Sequence, residues 1–148
     1  MAEVRASLSL KGWNAAQLKL RVPVILRRYG DVMDRQLKEE IQTVQFDWPR
    51  QTRRRNGTVV GSPRNIVDLG GLLRSQRREY PSATQLVFTW DAKSDKGFMY
   101  AGLILTGYVV GPRSTVVPPR NWIKPALDKH PLNSFFIAEW RKLSSGNL

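Results

Sequence analysis

The most regular hydrophobic pattern in the chain lies between Pro23 and Val44. Apolar side chains recur there at spacings of three and four, at Leu26, Tyr29, Met33, Leu37, Ile41 and Val44. This period is typical of an amphipathic α-helix with one buried stripe. Pro23 suits a first helical turn and Pro49 ends the pattern. The sequence therefore predicts a long helix over residues 23–47.

The residues before this helix follow a different pattern. Between Val4 and Leu20, apolar positions alternate imperfectly with polar ones, and Gly12 interrupts the run. Alternation with a period of two is typical of a strand with one buried face. We therefore expect residues 1–22 to form an N-terminal arm that contains a short strand.

Residues 49–67, by contrast, offer few side chains for a core. They carry the pair Asn56-Gly57, which is typical of the tip of a tight hairpin. The residues on either side of that pair can extend as strands, and several of them are basic. We expect a long basic hairpin loop that projects from the body. Loops of this length are uncommon unless they have a function.

Two strands are predicted further along the chain. The run from Gln85 to Trp90 is rich in branched and aromatic residues, which favours a strand. Residues 98–110 form a second strand candidate, and the polar residues 91–97 would be the turn between them. We expect the two strands to pair as a hairpin.

Short helices complete the pattern. Asp68 is a candidate N-cap for a short helix. That helix would carry Arg74, Arg77 and Arg78. Residues 121–129 and 132–143 predict a short and a longer helix, and residues 144–148 a frayed tail.

These elements predict one α+β domain over all 148 residues. In this interpretation the long N-terminal helix packs on a small antiparallel sheet. Residues 68–143 supply that sheet and the C-terminal helices.

Charge sets one part of the chain apart. The 24 Lys and Arg residues outnumber 12 Asp and Glu residues, for a net charge of +12. Eight arginines and one aspartate between residues 50 and 78 account for +7 of it: Arg50, Arg53, Arg54, Arg55, Arg64, Arg74, Arg77 and Arg78. The planar guanidinium suits phosphate and carboxylate. A solvated charge run, a nucleic acid and an acidic protein partner all fit such a segment.

Aromatic residues narrow these alternatives. No Phe, Tyr or Trp lies between Arg50 and Arg78. Proteins that bind single strands stack bases on aromatic rings between their basic residues. The composition therefore favours sequence-independent contact with the phosphates of a duplex, or contact with an acidic protein surface.

The residues that usually carry chemistry are scarce. The chain has no cysteine and one histidine, His130, for which we expect a capping or surface role. The acidic residues form no convincing metal cluster, and the glycines form no phosphate loop. We expect no catalytic residue, no metal and no cofactor. A nuclease with carboxylates from distant positions stays open as an alternative.

The sequence also bears on location and assembly. No run approaches the roughly 20 apolar residues of a membrane helix, and the first residues lack the apolar core of a secretory leader. We expect no membrane association and synthesis in a cytoplasm. Trp48 and Trp122 each lie at a bend marked by proline. Such residues either cover the core or anchor a subunit interface.

Three stretches together carry a family resemblance: Asp68–Ser75, Tyr100–Gly107 and Pro118–Leu127. In order and spacing they are similar to a Thr-Gly-x-Leu-Arg-x-Ser segment, a Tyr-Ala-x-x-x-Glu-x-Gly strand and a Pro-x-Arg-Pro-Phe-x-x-Pro-Ala segment. That set resembles the tail-completion or neck proteins of long-tailed bacteriophages, the lambdoid gene-ten-product type, which is similar to minor tail protein Z. This chain has Asn121-Trp122 in place of the usual Pro-Phe.

The resemblance implies a structural virion protein. Copies would form a ring, six-fold in the family, that joins the head connector or adaptor to the tail-terminator or tail-tube proteins around double-stranded DNA. We expect the DNA path or a partner to meet Arg50, Arg53, Arg54, Arg55 and Arg64. We expect subunit interfaces at Trp48, Arg74, Arg77, Arg78, Arg120 and Trp122. A general nucleic-acid-binding protein of the ribosomal or nucleoid type is the main alternative, ahead of a metal-dependent nuclease.

Overall fold

A computed structural model describes residues 1–7, 14–54, 57–67 and 70–145. The strands are β1 Ala2–Ser7, β2 Thr52–Arg53, β3 Val59–Val60, β4 Gln76–Ser82, β5 Gln85–Trp90, β6 Tyr108–Val110 and β7 Thr115–Val117. The helices are α1 Ala15–Thr43, α2 Gly71–Arg74, α3 Ala101–Thr106, α4 Ile123–Lys129 and α5 Leu132–Ser144. The mixture of helices with small antiparallel sheets confirms the predicted α+β class.

Helix α1 begins eight residues before the predicted start at Pro23 and ends at Thr43, not residue 47. Asn14 caps it, because its side-chain oxygen accepts a hydrogen bond from the backbone N–H of Ala16 at 3.0 Å. Pro23 lies inside the helix. The proline leaves the carbonyl of Lys19 without its helical donor, and Lys19 is exposed, so water can replace that donor. Residues 8–13 of the predicted arm lie outside the described residues.

The apolar stripe of α1 forms much of the core. Its buried members include Leu26, Tyr29, Met33, Leu37 and Ile41, as the periodicity predicts. The helix packs against α4 and α5. At that contact the Tyr29 ring lies 5.2 Å from the Phe135 ring, and the Tyr29 hydroxyl donates to the carbonyl of His130 at 2.9 Å. The two C-terminal helices lie close to the predicted bounds.

The largest sheet has the strand order β1-β5-β4, and both pairings are antiparallel. The prediction that residues 98–110 form one strand against β5 is wrong. Both edges of β5 are occupied by β1 and β4, so no edge is left for a further strand. Residues 101–106 form α3 instead. Gly107 ends this helix with a φ of +79°, and a Cβ there would lie 2.8 Å from the carbonyl oxygen of Val117.

Glu139 on α5 is a buried carboxylate with two cationic partners. Its oxygens accept from Arg28 Nη1 at 2.7 Å and from Lys142 Nζ at 2.5 Å, and its side chain is 9% exposed. The hydrogen bonds from Lys142 and then Arg28 hold the pKa of Glu139 below its ordinary value of 4.5. The pair with Arg28 joins α5 to α1.

This arrangement predicts a loss of stability in acid. A carboxyl whose pKa is lower in the folded state stabilises it above pH 4.5, and the contribution disappears as the pH falls through the folded pKa. We expect Glu139→Gln to be less stable than the wild type at pH 7, and the difference to narrow towards pH 3. Urea unfolding between pH 3 and 7 measures this. Asp91→Asn, at an exposed residue, is the charge-matched control. A pH-independent difference would contradict the assignment.

Candidate nucleic-acid interface

The arginine-rich segment folds as a short hairpin. Thr52 pairs with Val60 and Arg53 with Val59, in antiparallel register. At the turn, the N–H of Gly57 donates to the carbonyl of Arg54 at 2.9 Å, and the φ of Gly57 is +89°. Glycine adopts this conformation at little cost. The predicted hairpin is confirmed here, although Arg55 and Asn56 lie outside the described residues.

The base of the hairpin is fixed to the body of the protein. Phe46 and Arg64 exchange two backbone hydrogen bonds, of 2.8 and 3.0 Å. Asn65 donates from its side chain to the carbonyl of Gln42, beside the end of α1, at 2.8 Å. Residues 49–67 therefore do not project as one long loop. The hairpin lies within residues 47–63, which the pairing of Phe46 with Arg64 closes at the base.

Trp48 lies between two guanidinium groups at this base. The guanidinium carbons of Arg64 and Arg120 lie 3.4 and 3.5 Å from the centroid of its ring. Two groups this close to one centroid must occupy opposite faces of the indole. Arginine is weakly hydrated and planar, so it stacks on aromatic rings more readily than lysine does. We call this arrangement the Trp48 stack.

The Trp48 stack corrects two expectations. Arg64 was expected to face DNA and Arg120 a neighbouring subunit, but only 8% of Arg64 and 1% of Arg120 are exposed. Arg64 also donates to the hydroxyl of Thr52 on β2. Trp48, expected at an interface, is half-buried between the two cations. All three residues contribute to the folded subunit itself.

The expectation for Trp122 is corrected as well. It was expected at a subunit interface, yet it is fully buried and meets Trp90 edge-on, with ring centroids 5.5 Å apart. Asn121 causes this placement, because its side-chain oxygen caps α4 by accepting from the N–H groups of Ile123 and Lys124.

Arg50 and Arg53 are two of the arginines for which the sequence predicts contact with DNA or a partner. Both are exposed, and Arg53 donates to the carbonyl of Gly57 at 3.1 Å. Arg54 is half-buried and donates to the side-chain oxygen of Asn65 at 2.8 Å. Within the described part of the chain, no carboxylate pairs with any of the three. No ion pair within the described residues therefore neutralises the charge of these three arginines.

The remaining arginines of the segment lie elsewhere. Arg74 is exposed at the end of α2, whereas Arg77 and Arg78 lie on β4 and not on the predicted short helix. The helix stops because residues from Gln76 onward pair with β5. Arg78 forms an ion pair with Asp31 of α1 at 2.6 Å. The predicted N-cap, Asp68, lies outside the described residues, and Gly70 precedes the first helical turn.

Two broader findings accompany this geometry. In residues 1–7, 14–54, 57–67 and 70–145, no three His, Asp or Glu side chains lie close enough together to hold a metal ion. No helix in those same ranges combines the length and apolar character needed to cross a membrane.

Comparisons with known proteins add no identification. No family model, no curated protein and no solved structure matches this chain.

Proposed function

We propose that this chain is a non-enzymatic structural subunit of a tailed-phage neck, and that its copies form a ring around double-stranded DNA. The observation that carries the proposal is the pair of exposed arginines, Arg50 and Arg53, on a hairpin with a fixed base. The ring and its place in the neck come from the family resemblance of the sequence. We also propose the specific arrangement that the sequence predicts, in which the long N-terminal helix packs on the small antiparallel sheet.

The different environments of the arginines support contact with DNA. Arg64 and Arg120 are held in the Trp48 stack, and Arg78 pairs with Asp31. Among the described residues, neither Arg50 nor Arg53 stacks on an aromatic ring or pairs with a carboxylate, and Arg53 donates only to the carbonyl of Gly57. A duplex carries about one negative charge per 1.7 Å of its axis, so a ring that repeats the hairpin can contact phosphates without reading bases.

An exposed apolar pair supports self-association. Val109 and Val116 lie opposite each other across the hairpin of β6 and β7, and they are 62% and 64% exposed. Side chains that are paired across two strands lie on the same face of the hairpin. A second copy of the chain that covered this face would bury both of them.

A general nucleic-acid-binding protein is the second candidate. The same exposed arginines favour it, since phosphate contact needs no ring. Assembly separates the two. Native mass spectrometry and negative-stain imaging should show closed rings for a neck subunit. A monomer in every condition, including with connector or tail proteins, would leave only the second candidate.

We predict that Arg50→Ser with Arg53→Ser weakens duplex binding and leaves the fold intact. The slope of log K against log salt is negative, and loss of two phosphate contacts should reduce its magnitude by about 1.8 per chain. Fluorescence anisotropy with duplexes of two unrelated sequences measures this, and both sequences should respond alike. Because both residues are exposed, unfolding stability should change by less than about 0.5 kcal/mol.

The matched control replaces two exposed cations outside this hairpin, with Lys96→Ser and Arg113→Ser. It lowers the net charge equally. An equal loss of binding in both double variants would mean that only net charge matters, which would contradict a DNA-facing hairpin.

A further inference from the structure

A cleft of about 370 Å³ opens beside the Trp48 stack. Part of its wall is apolar and includes Ile41, Leu72 and Ile104. Among the described residues of the lining, the charged side chains are Arg74, Lys93, Arg120 and Asp95, with a net charge of +2. The cleft therefore combines an apolar wall with a cationic lining.

Arg120 is the unusual member of this lining. Trp48 covers one face of its guanidinium, and the residue is 1% exposed. Its Nε and Nη2 atoms are buried and have no hydrogen-bond partner among the residues that the structure describes. These two nitrogens lie on the same edge of the group, and their N–H bonds point the same way. That edge matches the two oxygens of one carboxylate.

The charge of Arg120 is poorly compensated within the subunit. Burial lowers its pKa, and the nearby Tyr108 hydroxyl opposes that effect. No carboxylate in the described ranges forms an ion pair with it. Buried polar groups are nearly always hydrogen-bonded in folded proteins, so two open donors on one edge indicate a missing acceptor.

We propose that this cleft binds a carboxylate carried on an apolar stem, with the Nε and Nη2 edge of Arg120 donating to both oxygens. The apolar wall would hold the stem. A phosphate fits less well, because its further oxygens would face apolar side chains. The two nitrogens have no open surface, so the ligand displaces a neighbouring side chain. Arg74 and Lys93 are long, exposed side chains of the same lining.

The carboxylate can come from a free acid or from an acidic side chain of a second copy of this chain. Both sources present the same chemistry to Arg120. The proposal does not depend on DNA binding, and a chain that ignores DNA can still bind a carboxylate here.

The test uses the full chain labelled with ¹⁵N, in which the Nε–H signal of Arg120 reports directly on its hydrogen bond. Sodium hexanoate is the probe, and sodium chloride, sodium phosphate and hexanol are compared at matched concentration and ionic strength. We expect hexanoate to shift this signal in a saturable manner and to raise Tm. Hexanol and chloride should do neither, and phosphate should act more weakly.

Two variants test the role of the paired N–H donors of Arg120. Arg120→Lys keeps the charge but loses the paired donors, so hexanoate affinity should fall about tenfold or more. Arg113→Lys, at an exposed residue outside the cleft, should bind as the wild type does. If Arg120→Lys does not fold, the wild-type signal still decides the question. No shift of that signal with hexanoate, or equal affinity in both variants, would overturn the proposal.

Sedimentation distinguishes the sources. If hexanoate dissociates oligomers of the wild type, the natural carboxylate belongs to a second copy. If the wild type binds hexanoate without any change in its mass, the natural ligand is a free acid.

Discussion

Replacing Trp122 by alanine is expected to lower the free energy of unfolding by about 3–5 kcal/mol, enough to unfold many domains of this size. Trp122 is fully buried, and its edge-on contact with Trp90 joins the start of α4 to the central strand β5. Removal of the indole leaves a large cavity, because the surrounding helix and sheet relax only in part. Urea unfolding followed by circular dichroism measures the loss.

Trp122→Phe is the matched control. It keeps an aromatic ring against Trp90 and should lose less than half as much stability. The sequence alone placed Trp122 at a subunit interface. A Trp122→Ala variant that keeps the wild-type stability but fails to form oligomers would restore that interpretation and contradict the buried position.

The second large effect is expected for Trp48→Ala. Each desolvated cation–π contact is worth about 2 kcal/mol, so loss of both should destabilise the chain by about 2–4 kcal/mol. Without the ring, the guanidiniums of Arg64 and Arg120 would also face each other across a cavity. Thermal and urea unfolding measure the change, and the hairpin should lose hydrogen-exchange protection before the sheet does.

Trp48→Leu and Trp48→Phe separate the causes. Leucine keeps apolar volume without a ring face, whereas phenylalanine keeps a smaller ring. If the stack matters, Phe should retain more stability than Leu. A double-mutant cycle of Trp48→Phe with Arg64→Met isolates the coupling between those two residues. Equal stability of the Leu and Phe variants would show that Trp48 acts only through its volume.

Local patterns predicted those elements whose own residues decide them. The stripe of α1, the strand at Gln85 and the two C-terminal helices follow from periodicity and propensity. The hairpin turn follows from Gly57, because few other residues adopt its φ readily. The start of α1 was missed, since Asn14 caps a helix that continues through an internal proline.

Contacts between distant residues were not predictable in this way. Trp48 contacts Arg120, which lies 72 positions later in the chain, and no local sequence pattern predicts such a pair. The run 101–106 has enough branched residues for a strand, and only the occupied edges of β5 exclude that outcome. The cleft has the same origin, because its lining comes from four separate stretches of the chain.

The double backbone link between Phe46 and Arg64 closes the segment that carries the hairpin at its base. With both ends fixed at neighbouring points, the intervening residues form a closed loop, and each doubling of loop length costs only about 0.6 kcal/mol of closure entropy. The tip can therefore gain, lose or exchange residues while the core keeps its packing. In evolutionary terms, the sequence of this hairpin can vary without a change in how the rest of the chain folds.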